Sequence, residues 1–248
     1  MYSKRLPFDG SHPRLGGGVQ ADLAVRTMGE LRPYLQDSDC PGPDEVYFMY
    51  RELTHADDAA VWSHHRIKHD ITVVPPGRLG REYIRTAGHY HPEAERGLTY
   101  PELYQVVQGE AVFILQHLAG DGLVSEVVMV AAAPGDEVII PPGWGHVTVN
   151  QGQSDLVIAD IVAADFLSIY RPYQEQAGPA YYLLSSPAGK AEPNPNYPER
   201  PLVTMLQARQ WQERSGWSNG GGWLYDQFMA APGRWEFLLR PTHRWAGC

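Results

Sequence analysis

The sequence predicts an all-β domain, a sandwich or barrel of short strands, with a short helical segment before it and an α/irregular extension after it. Three observations carry this reading. Short apolar runs recur at roughly ten-residue spacing with turn residues between them, the pattern of strands in a sandwich or barrel. Gly and Pro supply 25 and 21 of the 248 residues, a turn-rich share well above the roughly one-eighth of average usage. Apolar residues make up 43% of the chain, and a chain this long buries a sizeable core without disulfide staples.

The elements follow in order. Residues 1–20 read as loop, broken by Gly16-Gly17-Gly18. Thr27-Met28-Gly29-Glu30 has the spacing of a helix capping box, and Pro33 limits the helix it starts. Strands are expected at Val46–Tyr50, Asp70–Val74, Glu82–Thr86, Glu102–Val107 and Ala111–Leu115, with Gln108-Gly109-Glu110 as a tight turn. More are expected at Glu126–Val130, Glu137–Ile140, His146–Val149 and Leu156–Ile161. The prolines at 187, 193, 195 and 198 suggest a linker, and Leu202 to Arg214 reads as one amphipathic helix. Tryptophans 211, 217, 223, 235 and 245 crowd the last fifty residues. That part is expected to pack on the barrel or on a second subunit. The domain boundaries expected are 1–45 for an N-terminal arm, 46–186 for the barrel and 187–248 for the linker and Trp-rich extension.

Composition excludes several function classes. The net charge of −9 argues against nucleic-acid binding, which needs a basic patch. Two cysteines, Cys40 and Cys248, make neither a disulfide framework nor a Cys-based zinc site, and suggest a reducing compartment. No apolar run approaches the roughly 20 residues that span a bilayer. No apolar stretch follows the basic start at Lys4 and Arg5, so a cytoplasmic protein without membrane partners is expected.

Ten histidines occur, and their placement carries the chemistry. His89-Tyr90-His91 is an H-x-H pair. Positions i and i+2 of a strand point to one face, so both imidazoles can meet one metal. Glu102 follows, then six residues and Gly109. Downstream, Gly135, Pro141, Gly143, His146 and Asn150 reproduce G-x5-P-x-G-x2-H-x3-N. These blocks match the two cupin motifs, which implies a double-stranded β-helix, or jelly-roll barrel. Three imidazoles and one carboxylate from separate strands would converge inside it. Nitrogen and oxygen ligation suits Fe, Mn, Ni, Co or Zn without choosing among them. The segment Pro92 to Tyr100 lengthens the usual gap before Glu102 and must loop out. A second group, His64, His65 and His69, is expected in a solvated loop or strand edge, and His12, His55, His117 and His243 are expected to be isolated and exposed.

A longer stretch resembles the archaeal-type, cupin glucose-6-phosphate isomerases. It includes Asp70–Gly77, Leu79–Tyr83, Thr86-Ala87-Gly88-His89-Tyr90-His91, Tyr100-Pro101-Glu102-Leu103-Tyr104 and Pro141–Asn150. The resemblance implies that His89, His91, Glu102 and His146 hold one divalent metal, Fe2+ first among the choices. It implies that Thr72, Thr86, Gly88, Tyr104 and Tyr170 bind a phosphosugar. Glu102, Tyr104 and His146 would carry catalysis, and the protein would be a homodimer. Where the family has His-x-Tyr, this chain has Ser168-Ile169-Tyr170, and the family does not account for residues 200–248.

The reaction so implied moves a proton between C1 and C2 of the sugar through a cis-enediol, with Glu102 as base, ligand or both. Arg81, Arg85 and Lys68 are candidate counter-charges for a phosphate. Two other readings stand beside it: a metal-dependent dioxygenase or biosynthetic cupin acting on a non-phosphorylated substrate, and a sugar-binding cupin without catalysis.

Overall fold

The computed structural model describes residues 3–120, 122–197 and 199–246. Met1, Tyr2, Pro198 and Cys248 lie outside the described residues. The scaffold is built from ten strands: β1 Val19–Thr27, β2 Glu45–His55, β3 Ile67–Val74, β4 Glu102–Gln108, β5 Ala111–Leu118, β6 Val124–Ala132, β7 Glu137–Ile140, β8 Trp144–Asn150, β9 Leu156–Ala163 and β10 Thr204–Gln207. They form a six-stranded sheet, β7-β4-β9-β3-β2-β1, and a four-stranded sheet, β8-β5-β6-β10. Every pairing is antiparallel except β10, which lies parallel to β6. This two-sheet jelly roll is the mostly-β cupin architecture that the motifs imply.

Period-2 alternation explains how one sheet serves two cores. On the inner face β4 presents Tyr104 opposite Asp160 of β9, and Asp160 opposite Asp70 of β3. On the outer face stand Leu103, Ile71, Val73 and Ile161. These join Trp217, Leu224, Phe228, Trp235 and Leu238 in a second buried cluster. Strand β9 is therefore buried at all eight positions. A sheet covered on both faces gives continuous apolar runs rather than alternation, which the run Leu156–Ala159 already displays.

The extension from Trp217 onward thus forms the outer layer of the fold. The helix Ala208–Ser215 anchors it, the Trp211 Nε1–H donating to the Ile139 carbonyl at 2.8 Å. The buried Glu137 carboxylate accepts from Trp217 Nε1 at 2.8 Å and from Gln227 Nε2 at 2.6 Å. Its register partner Gln105 binds the Gly222 carbonyl and the Leu224 amide. Burial raises the Glu137 carboxyl above its ordinary value despite these donors.

The Thr27–Glu30 capping box is present, and its helix α1 is short, Met28–Leu31. Several expectations differ from the structure. Residues 19–27 are an edge strand with mostly solvent-facing side chains, so they carry no apolar alternation to read. Ala188–Pro193 pairs with Tyr181–Ser185 rather than linking. Leu202 to Arg214 is not one helix: Met205 and its neighbours complete the edge of β6 before the helix Ala208–Ser215 begins. Sheet-edge hydrogen bonding overrides helical periodicity there. The strand read at Glu82–Thr86 is short, Glu82–Tyr83, followed by an isolated bridge from Arg85 to Val149. The extra Pro92–Tyr100 segment does loop out, as a small hairpin of Glu93–Glu95 with Leu98–Thr99.

The second histidine group is corrected as well. His64 and His65 end a helix, α2 Ala59–His65. His69 is 1% exposed on the outer face of β3, where Nδ1 meets the Leu53 carbonyl at 2.9 Å. His12 also is not free, its Nδ1 lying 2.8 Å from the Tyr50 hydroxyl. Burial lowers His69 from 6.5 to about 4. A histidine kept neutral in the fold costs stability once the unfolded chain binds its proton, so stability falls as pH drops from 6.5 towards 4. The cost is about 2 kcal/mol at pH 5 relative to pH 7. Denaturant titration at those two pH values should show a smaller loss for His69→Asn than for the wild type.

Candidate active site

The segment Thr86–His91 crosses the mouth between the two sheets. His89 N–H donates to the His146 carbonyl at 3.2 Å and His146 N–H donates back at 3.1 Å. Tyr90 and Ile169 exchange a second pair, at 3.0 and 2.8 Å. These bridges fix an extended backbone, so His89 and His91 face one way. Tyr90 faces the other, where Gln116 Nε2 donates to its hydroxyl at 2.5 Å. Gly88 makes the turn into this segment at φ +83°, and a Cβ there would sit 2.5 Å from Val147 Cγ2. Both the left-handed backbone and the close approach call for glycine.

Downstream, the motif residues Gly109 and Asn150 have structural work. Gly109 holds φ +83°, and a Cβ would meet the Asp155 carbonyl at 2.8 Å. The Asn150 amide donates to the Val74 and Ser154 carbonyls at 2.7 and 2.9 Å, tying two strand ends together. Neither residue reaches the cluster.

The four residues singled out by spacing meet at one point. The donor atoms of His89, His91, Glu102 and His146 all lie within 4.8 Å of one another. His89 Nε2 is 3.1 Å from His91 Nε2. Glu102 Oε2 is 3.3 Å from His91 Nε2 and 3.2 Å from His146 Nε2. The latter nitrogen is also 3.0 Å from the Tyr104 hydroxyl. His91 Nδ1 lies 2.8 Å from the Tyr100 carbonyl. A carbonyl only accepts, so Nδ1 carries the proton and Nε2 turns a lone pair to the cluster.

These donors fit a metal ion. Glu102 Oε2 is buried and meets no hydrogen-bond donor in proper geometry, and lone pairs converge on it with nothing between them. A buried carboxylate left so costs free energy unless a cation is supplied. The Tyr100 carbonyl supplies the outer-shell contact that orients a metal-binding histidine.

The electrostatics favour the deprotonated donor set. Burial pushes His89 well below its ordinary value, and the imidazoles of His146 and His91 push it further. Burial lowers His146 too, outweighing the Glu102 charge. Burial alone would raise Glu102, but His146 and His91 hold it well below the usual carboxylate range. Burial and the Glu102 charge push the Tyr104 hydroxyl well above its ordinary value, so it stays a donor. Behind them, burial and the charges of Glu102 and Asp70 raise Asp160 well above the carboxylate range.

A cavity of about 530 Å³ opens on the cluster. Thr72, Thr86, Gly88, Tyr104 and Tyr170 all line it. The Tyr170 ring lies 5.3 Å from that of His89. Thr86 Oγ1 accepts from the Thr148 amide at 2.9 Å. The candidate counter-charges are placed differently. Arg85 is buried against Glu82 at 2.7 Å, and Arg81 lies across Glu192 at 3.0 Å. Lys68 lines the cavity but meets Asp70 at 3.3 Å.

Sequence reasoning missed Tyr47, Met49, Arg51 and Asp70 in the same wall. Parity along the strands was the available signal. Residues 68, 70 and 72 share a face of β3, and 47, 49 and 51 share one of β2. Arg51 meets Asp70 at 2.6 Å, so Asp70 serves two cations.

The comparisons agree with this geometry. The family model described as glucose-6-phosphate isomerase (GPI) matches residues 30–199. A glucose-6-phosphate isomerase of Thermococcus gammatolerans is 31% identical over 153 residues, covering 58% of this chain and 71% of the relative. That of Thermococcus onnurineus is 28% identical over 185 residues, covering 71% and 88%. Solved structures that overlay part of the chain include oxalate decarboxylase from Bacillus subtilis. Its TM-score is 0.36 at 21% identity, over 50% of this chain and 27% of that one. With the family match extending from the N-terminal helix through the whole histidine–carboxylate cluster, the chain belongs to the glucose-6-phosphate isomerase family.

Proposed function

We propose that the protein is a metal-dependent aldose–ketose isomerase that interconverts glucose 6-phosphate and fructose 6-phosphate. The observation that carries this reading is the convergence of His89, His91, Glu102 and His146, within 4.8 Å of one another, on a cavity lined by Thr72, Thr86, Gly88 and Tyr170. The four cluster residues would hold a divalent cation. When bound, it supplies positive charge to the two sugar oxygens on which negative charge develops.

The chain's own residues do the rest. Glu102 is ionised, so it can take the proton from one sugar carbon and return it to the other through the cis-enediol. Its two oxygens let one serve the ligand set while the other serves the proton. The Tyr104 hydroxyl, kept protonated by burial, donates to a reacting oxygen. Tyr104 stands 3.0 Å from His146 Nε2, at the edge of the ligand set. Thr72, Thr86, Gly88 and Tyr170 would receive the phosphorylated end of the sugar. Burial of the cluster excludes bulk water and strengthens each of these contacts.

The test is conversion of fructose 6-phosphate to glucose 6-phosphate by protein loaded in turn with Fe2+, Mn2+, Zn2+, Ni2+ or Co2+. Turnover with at least one metal is expected. Absence with all of them overturns the reading, and oxygen uptake by the Fe2+ form in its place would favour a dioxygenase.

Among the described residues, no helix is long and apolar enough to cross a membrane.

A further inference from the structure

We propose that Arg26 reads the charge of the substrate's phosphate and so selects phosphorylated over free hexoses; this rests on the isomerase reading above. Arg26 lies on the edge strand β1, register-paired with Tyr47 of β2. Its guanidinium carbon is 5.5 Å from the centre of the Tyr170 ring and 5.9 Å from that of Tyr47. Both rings line the cavity. Its Nε donates to the Tyr47 hydroxyl at 3.2 Å, and the same hydroxyl accepts from the Ala87 amide at 3.3 Å. One hydroxyl thus ties the guanidinium to the segment Thr86–Gly88, which lines the phosphate end of the cavity in the reading above.

The other cations near the cavity are already paired. Arg51 and Lys68 both meet Asp70, at 2.6 and 3.3 Å. Arg85 is closed against Glu82 at 2.7 Å. Among the described residues, no carboxylate lies within ion-pair distance of Arg26. The nearby Glu30 is engaged by the amide and hydroxyl of Thr27, at 2.9 Å each. A guanidinium has five N–H donors in a fixed fork, and here one is used. Two aromatic faces hold the fork in place, which limits the entropy lost when it binds an oxyanion. A half-buried cation with unused donors beside a cavity, in a chain whose net charge is −9, supplies the local charge that a phosphate monoester requires.

The interaction is made equally in the ground and transition states, because the phosphate does not react. Its loss should therefore raise KM and leave kcat nearly unchanged. The experiment measures KM and kcat for fructose 6-phosphate, and the affinity for inorganic phosphate by calorimetry, in wild type, Arg26→Gln and Arg26→Lys. A charge-assisted contact of this kind predicts a roughly 10- to 100-fold rise in KM for Arg26→Gln. A parallel loss of phosphate affinity is expected, with kcat within about threefold. Arg26→Lys should recover part of both, since it keeps the charge but not the fork. Bound metal should be equal in all three.

Phosphate affinity and KM unchanged in Arg26→Gln would overturn the assignment of Arg26. So would equal losses in Arg26→Gln and Arg26→Lys, which would mark a structural role. A wild type that binds phosphate but turns over no sugar would instead overturn the isomerase reading, and the calorimetry would still decide on Arg26.

Discussion

Replacing His146 with alanine is expected to remove the divalent metal and, with it, turnover, while leaving the jelly roll folded. His146 sits on β8, whose backbone is held on both sides, by β5 and by the His89 bridge. The strand therefore keeps its course without the imidazole. The ligand set loses one of three nitrogens, and the Glu102 carboxylate loses the neighbour 3.2 Å away that helps keep it ionised. Altering an outer-shell partner of a bound metal already costs about 10- to 100-fold in affinity, so loss of a ligand should cost at least that. Turnover should fall by roughly 100- to 1000-fold or more, as when a preorganised stabiliser of developing charge is removed. Elemental analysis of the purified variant, with circular dichroism as the folding control, checks this. Metal content equal to the wild type in a folded variant would mean that the ligand set is wrong.

The second large effect concerns stability. Trp235 is fully buried among Trp217 and Phe237 in the cluster that covers the outer face of the six-stranded sheet. Trp235→Ala should cost about 3–5 kcal/mol, the range for a large aromatic truncated in a core. Trp235→Phe should cost far less, because the indole N–H meets no acceptor among the described residues and only volume is lost. Urea denaturation of the three proteins measures both differences. Near-equal stability of Trp235→Ala and wild type would show that the extension is not part of the folded core in solution.

The cluster, through Glu102, and the Trp-rich layer lie on opposite faces of the six-stranded sheet, and the two are unequally legible. The cluster was readable because its chemistry is written in local spacing. His89 and His91 are two apart, and the glycines and prolines that shape the turns accompany His146. Glu102 needed only a strand start at the right place. Tyr104, two residues on along the same strand, shares the Glu102 face by strand parity. The outer layer was not readable in the same way. Its contacts join residues such as Glu137 and Gln227, 90 apart, and no local pattern announces such pairs. The abundance of tryptophan after residue 200 indicated that something would be covered, but not which face.

Edge strands were the other blind spot. Val19–Thr27 and Thr204–Gln207 gain their structure from a neighbour's unpaired backbone rather than from their own apolar pattern. That same loss hid Arg26, which stands on the first of them. His69 was misread for a related reason. Its neighbours His64, His65 and Lys68 made the segment look solvated, whereas alternation along β3 turns His69 outward under Trp62 and Tyr225.

As an isomerase, the protein would move a proton between two sugar carbons at the Glu102 carboxylate. Incubation of the metal-loaded protein with fructose 6-phosphate in D2O, followed by proton NMR of the product, tests it most directly. Glucose 6-phosphate is predicted, with deuterium at C2 to the extent that the proton held on Glu102 exchanges with solvent before its return, and turnover is predicted to be lost in Glu102→Gln. Turnover undiminished in a metal-loaded Glu102→Gln variant would contradict the carboxylate's role as proton carrier, and no glucose 6-phosphate at all would contradict the proposed function itself.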